Sequence, residues 1–175
     1  MQYCAFLRGV NVRGTNMKMQ EVCTVFENAG MQNVVSALAS GNIIFSSDKK
    51  MTELKKLLEA AMSKTFDYEA SLFLLTSEDC KQIFEGNPFS IEKEMHTYVF
   101  IGIKDIETKL MEAFKKATPF QNEKAVINNG YFYWQIAKGE TLGSEFSKVL
   151  GKKNMKTLFT SRNINTIEKI LNKMQ

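Results

Sequence analysis

Lys124-Ala125-Val126-Ile127-Asn128-Asn129-Gly130-Tyr131-Phe132-Tyr133-Trp134-Gln135-Ile136-Ala137 decides how this chain is read. Two runs rich in β-branched and aromatic residues flank an Asn-Gly pair. Asparagine and glycine both accept the positive φ of a tight reversal, so the stretch predicts a hairpin of strands Lys124–Asn128 and Tyr131–Ala137. Before it, Ile106, Leu110, Phe114 and Ala117 fall on one side of a helix, itself preceded by a strand over His96–Ile103. After it, a helix from about Thr141 places Leu142, Phe146, Val149 and Leu150 on one face and stops at Gly151. A short strand over Met155–Thr160 follows. A closing helix over Asn163–Met174 turns Ile164, Ile167, Ile170, Leu171 and Met174 inward. The order is βαββαβα.

The first half repeats that order. A strand over Tyr3–Leu7 is followed by a polar loop and a helix striped by Met19, Val22, Cys23 and Phe26, ended at Gly30. Strands Asn33–Ala39 and Asn42–Ser46 meet at Ser40-Gly41-Asn42. A second helix carries Leu54, Leu57, Leu58, Ala61 and Met62, with Thr52 as its N-cap. A strand over Tyr68–Leu75 leads to a short helix opened by Thr76 and Asp79, whose inward face is Cys80, Ile83 and Phe84. The predicted fold class is α+β: two ferredoxin-like lobes of βαββαβ type, with mostly antiparallel sheets and helices on one face. The breaker stretch Gly86-Asn87-Pro88-Phe89-Ser90 divides them, giving lobes 1–90 and 91–175. The repeat is one of pattern, not of residue identity.

Composition excludes several classes. A 175-residue chain with 44% hydrophobic and 24% charged residues has the balance of a globular domain rather than a disordered one. No apolar run approaches the roughly 20 residues needed to span a bilayer, and Tyr3–Leu7 is too short for a signal-peptide core. A cytoplasmic protein, not bound to membrane, is expected. Cys4, Cys23 and Cys80 are an odd set without CxxC spacing, and His96 is the single histidine. Neither a disulfide framework nor a metal site is predicted, and no cofactor. Charge is unevenly placed. Residues 1–20 hold Arg8, Arg13 and Lys18 and no acid; residues 151–175 hold Lys152, Lys153, Lys156, Arg162, Lys169 and Lys173 against Glu168. With a net charge of only +4, the middle of the chain is acidic.

Three polar clusters stand apart from the amphipathic framework: residues 8–16, the hairpin Ser40-Gly41-Asn42, and Thr160-Ser161-Arg162-Asn163-Ile164-Asn165-Thr166. We read them as converging loops that hold an anionic ligand, either a nucleotide, a phosphorylated metabolite or a nucleic-acid backbone. Arg8, Arg13 and Arg162 supply charge. Asn11, Asn42, Asn163 and Asn165 read polar atoms, Ser40 adds a hydroxyl, and Gly9, Gly14 and Gly41 let the ligand approach the backbone. The third cluster also opens a helix, whose free amides favour negative charge. Neither the Walker loop nor the dinucleotide fingerprint is present. The plainer reading makes these polar turns with ordinary N-caps at Ser161 or Asn163, and a simple hairpin turn at Ser40-Gly41-Asn42.

Two alternatives stand beside binding. An enzyme, a transferase or hydrolase acting on a phosphorylated metabolite, would draw on Ser40 or His96 in the same cleft. An interaction module would pair two copies, so monomer and homodimer are both open. Tyr131-Phe132-Tyr133-Trp134 offers aromatics for stacking bases, but the RNP pattern of RNA-recognition sheets is missing. Alternation assigns one pair of these rings to the core.

Taken as a set, Ala5-Phe6-Leu7-Arg8-Gly9-Val10-Asn11-Val12 with Gly14, Ser40-Gly41-Asn42-Ile43-Ile44-Phe45, Asn87-Pro88-Phe89, and residues 160–166 resemble the bacterial domain-of-unknown-function family 1697. The resemblance runs nearly the whole chain. It departs at Ile164, where the family usually has an aromatic residue, and at Arg13, where a second glycine is common. It implies two ferredoxin-like lobes and no settled activity, so it carries no catalytic residue onto this sequence.

Overall fold

In the computed structural model, which describes residues 1–10 and 17–174, elements form in the predicted order. The first half runs β1 (Gln2–Arg8), α1 (Met19–Asn28), β2 (Gln32–Ser36), β3 (Asn42–Ser46), α2 (Met51–Phe66), β4 (Ser71–Thr76) and α3 (Ser77–Glu85). The second runs β5 (Met95–Gly102), α4 (Ile106–Lys116), β6 (Lys124–Asn128), β7 (Tyr131–Ala137), α5 (Glu145–Leu150), α6 (Lys153–Lys156), β8 (Phe159–Asn163) and α7 (Ile164–Lys173). The four-stranded sheets have the orders β2-β3-β1-β4 and β6-β7-β5-β8. Every pairing in them is antiparallel. Both are the ferredoxin-like arrangement, in which the first strand lies between the third and fourth.

Two compact units result: Met1–Lys81 with Glu168–Gln175, and Gln82–Ile167. In the first unit the helix-side face of the sheet (Tyr3, Ala5, Leu7, Ile43, Phe45, Leu72, Leu74) packs on Val22, Val25 and Phe26 of α1 and Leu54, Leu58 and Met62 of α2. Cys4, Phe6 and Ile44, on the opposite face, are buried as well. Burial on both faces is why the opening run reads as continuously apolar instead of alternating. The last turns of α7 belong to this unit, where the Lys173 ammonium donates to the Ser36 carbonyl at 2.8 Å.

The second unit is built around rings. Phe146 of α5 meets Phe114 at 5.2 Å, Trp134 at 5.3 Å and Phe132 at 5.7 Å between centroids, two of them edge-on. Edge-on contacts align a ring's positive rim with its neighbour's negative face. Glu123 is buried beneath them. It accepts from Trp134 Nε1 at 2.9 Å, Ser144 Oγ at 2.7 Å and the Phe120 amide at 3.0 Å, so each of its oxygens has a donor.

Several local expectations need correction. Thr52 does not cap α2; that helix begins at Met51 after Lys50, without a side-chain cap. The helix expected from Thr141 begins at Glu145, because Ser144 Oγ accepts from Ser147 N and sets the N-terminus there. Leu142 therefore falls outside the helix and is 89% exposed. Lys153–Lys156 forms a single helical turn, which displaces the last strand to Phe159–Asn163. In β7, Phe132, Tyr133 and Trp134 are all buried, not one alternating pair, so the strand offers no open stacking platform. The Thr76–Asp79 box at α3 forms as expected, with Thr76 donating to Asp79 Oδ2 and the Asp79 amide donating back to Thr76 Oγ1 at 3.1 Å.

Candidate functional site

At the end of β1 the chain passes through Arg8 into Gly9, and there the first two polar clusters meet. The Leu7 amide donates to the Gly41 carbonyl at 2.8 Å, drawing the β2–β3 turn against the strand end. Gly41 has φ +73°, and a Cβ there would lie 3.1 Å from both Leu7 Cβ and Val10 Cγ2. Only glycine fits both the backbone angle and the space. Asn42 is buried and its amide nitrogen donates to the Ala37 carbonyl and Ser40 Oγ, each at 3.0 Å. Its carboxamide nitrogen therefore braces the turn, and Ser40 is held by the same bond. Asn11, Arg13 and Gly14 lie outside the described residues.

The strand partner of Arg8 in β4 is Ser71, and Arg8 Nη1 reaches Ser71 Oγ at 3.5 Å. Burial lowers the Arg8 pKa from its ordinary value of 12.5. A guanidinium starts so high that it stays charged at neutral pH. Tyr68 lies against the same corner, with Cε2 3.8 Å from where a Gly9 Cβ would sit. Its hydroxyl is enclosed and has no hydrogen-bond partner among the described residues. Burial raises the Tyr68 pKa, which keeps the O–H intact as a donor. Sequence reading missed Tyr68 and Ser71. Tyr68 was read as the first residue of a strand, but β4 begins at Ser71, and nothing in the local pattern separates such a tyrosine from a core ring; the orphaned hydroxyl marks it.

The third cluster is not a loop. Thr160 to Asn163 belong to β8, paired with β5 in the register Tyr98↔Asn163 and Phe100↔Ser161. Arg162 Nη1 donates to Thr160 Oγ1 at 2.7 Å and to the Ser161 carbonyl at 2.8 Å. Asn163 Oδ1 accepts from the Asn165 amide at 3.0 Å, so this side chain caps the start of α7. Asn163 Nδ2 also lies 3.2 Å from His96 Nδ1. Sequence reading placed the strand end at Thr160 and a loop after it, because the strand shift that accompanies α6 has no periodic signature of its own. This cluster lies in the second unit, whereas Arg8, Gly9, Ser40, Gly41 and Asn42 lie in the first.

The Asn87-Pro88-Phe89 motif works inside the second unit. Asn87 Nδ2 donates to the Phe89 carbonyl at 2.8 Å, and the Phe89 amide returns to Asn87 Oδ1. The segment before it is held on β6 and β7: Asn128 Nδ2 donates to the Gly86 carbonyl at 2.8 Å and Tyr133 Oη to the Ile83 carbonyl at 2.7 Å. Among the described residues no three His, Cys, Asp or Glu side chains gather as metal ligands. No helix among them is long and apolar enough to cross a membrane.

Comparison with known proteins gives a family and a fold. The model of a family described as a protein of unknown function, DUF1697, matches residues 1–133. A solved structure of a conserved bacterial protein from Streptococcus pneumoniae is similar over 99% of this chain and 98% of that one, with TM-score 0.80 and 24% identity. No curated protein matches the chain.

Proposed function

The chain belongs to the DUF1697 family, and on that premise we propose that the loop and hairpin at the end of β1 bind a phosphate-bearing ligand, either a nucleotide or a phosphorylated metabolite. The observation that carries this reading is that the enclosed hydroxyl of Tyr68, beside Arg8 and Gly9, has no partner among the described residues. Leaving a buried donor unsatisfied costs about 1–3 kcal/mol, a penalty that an incoming acceptor removes. A phosphate oxygen suits the corner best, because the half-buried Arg8 supplies positive charge with little water to screen it. Ser71 and Ser40 add hydroxyls, and Gly41 keeps the turn close to the strand. Asn42 shapes the turn instead of reading the ligand. Asn11, Arg13 and Gly14 extend the same polar stretch in sequence and fit the reading by residue type. Arg162, Asn163 and Asn165 carry compatible chemistry in the second unit.

Titration calorimetry with a panel of nucleotides, sugar phosphates and inorganic phosphate tests it. A member of the panel is expected to bind wild type, with Tyr68→Phe weakening it about tenfold and Arg8→Ala weakening it more. Arg162→Ala, measured separately, tests the second cluster by itself. Absence of binding across the panel, or wild-type affinity in Arg8→Ala, removes the proposal.

A further inference from the structure

The four outer strands of the two sheets are treated differently. On β4 the backbone of Leu72 is covered from α2: Glu59 accepts its amide at 3.0 Å, and Lys55, paired with Glu59, donates to its carbonyl. On β2 the ladder is broken by a register shift between Gln32 and Val35, where Asn33 has φ +51°, and Lys173 covers the Ser36 carbonyl. On β8, Arg162 folds back over Thr160 and Ser161. Bulges and lysines or arginines of this kind stop a sheet edge from pairing with another chain. β6 carries Lys124 at its start, but among the described residues it has no bulge and no side chain bonded to its outward backbone groups.

The turn after β6 fixes which of its backbone groups face outward. Asn129 and Gly130 have φ +49° and +78°, the type I′ geometry, and Asn128 pairs with Tyr131. Antiparallel pairs alternate, so Asn128, Val126 and Lys124 exchange hydrogen bonds with β7 while the amides and carbonyls of Ala125 and Ile127 point away from it. No partner for those groups occurs among the described residues. Val126 and Ile127 are 36% and 38% exposed on this edge.

We propose that β6 is the edge through which two copies of this chain pair, antiparallel about Val126. That register sets Ala125 opposite Ile127 of the other copy, so the outward groups of each satisfy those of the other. Val126 meets its own counterpart at the close, non-hydrogen-bonded position. Lys124 falls opposite Asn128, so no like charges face each other, which a lysine-bearing edge needs if it is to self-pair. The segment is short, and an interface of this size is at the weak end of the range for specific association. The dimer is therefore concentration-dependent.

Sedimentation equilibrium on the full chain is expected to show monomer passing to dimer as concentration rises towards millimolar. Val126→Lys, which sets two lysines face to face at an exposed position, is expected to keep the native circular dichroism and remain monomeric. In a Cys23→Ser background, Val126→Cys is expected to form an intermolecular disulfide under mild oxidation, since close antiparallel pairs have the required Cβ separation. Val35→Cys on β2 is expected not to. A wild-type chain that stays monomeric at millimolar concentration, or a Val126→Lys variant that dimerises like wild type, overturns the proposal. Dimer lost in Val126→Lys but without the Val126→Cys cross-link overturns the Val126-centred register.

Discussion

The two units reach one strand order with different interiors. The first fills the space between sheet and helices with Leu, Val, Ile and Met side chains around Phe26 and Phe45. The second uses Phe100, Phe132, Trp134, Phe146 and Phe159, with a buried glutamate tying two elements to the rings. A topology set by alternation and element order tolerates such an exchange so long as the volume is filled. The connection after the first strand differs too. Residues 103–105 join β5 to α4, whereas residues 9–18 stand between β1 and α1. The longer copy of this connection carries the arginine-glycine stretch.

The contrast between the interiors breaks most readily at its centre. Phe146→Ala is expected to destabilise by about 4 kcal/mol, since one truncation empties contacts to several rings; Leu58→Ala in the first unit is expected to cost about 3 kcal/mol. Urea unfolding measures both, and equal losses would remove the distinction. Glu123→Ala is expected to cost about 3 kcal/mol by stranding the Trp134 and Ser144 donors, and Glu123→Gln, which keeps an acceptor, about half that. At the guarded edge of the first sheet, Lys55→Met is expected to cost about 1 kcal/mol or less, because the lysine is partly solvated. Its larger consequence is self-association through the uncovered carbonyl of β4, visible by light scattering.

The smallest effect concerns titration. Burial, helped by the neighbouring Asp79 carboxylate, pushes the Cys80 thiol from 9.0 to about 12. Above pH 9 the unfolded chain gives up this proton while the folded chain keeps it, so this contribution to stability is whole below pH 9 and is lost as pH rises towards 12. Cys80→Ala is expected to flatten the alkaline limb of a stability–pH curve. Thiol labelling of the native protein is expected to fall on the partly exposed Cys23 first, since Cys4 and Cys80 are buried.

Much of the fold was legible because its signals are local. The Asn129-Gly130 turn, the strands beside it and the Thr76–Asp79 box follow from residue types at fixed spacing. Ser144 capping α5 and the single turn Lys153–Lys156 were not legible, since both depend on short-range hydrogen bonds that leave no period. At the candidate site, Arg8, Gly9 and the Ser40-Gly41-Asn42 turn were visible as polar breaks in an apolar pattern. That the clusters converge was read from residue type alone, and strand register is what brings the first two together; Tyr68 was not legible, because proximity across sequence is set by that register.

Element order, two ferredoxin-like halves and the positions of glycine-bearing turns were determined by the sequence alone, since alternation and helical spacing are properties of neighbouring residues. Only the tertiary structure decided that Asn42 braces a turn and that the Tyr68 hydroxyl is enclosed without a partner among the described residues. It alone decided that the outward edge of β6 is left uncovered among the described residues while β2 and β4 are capped from distant helices. Those facts concern which groups lose water and what replaces it, and that is set by side chains brought together from far along the chain.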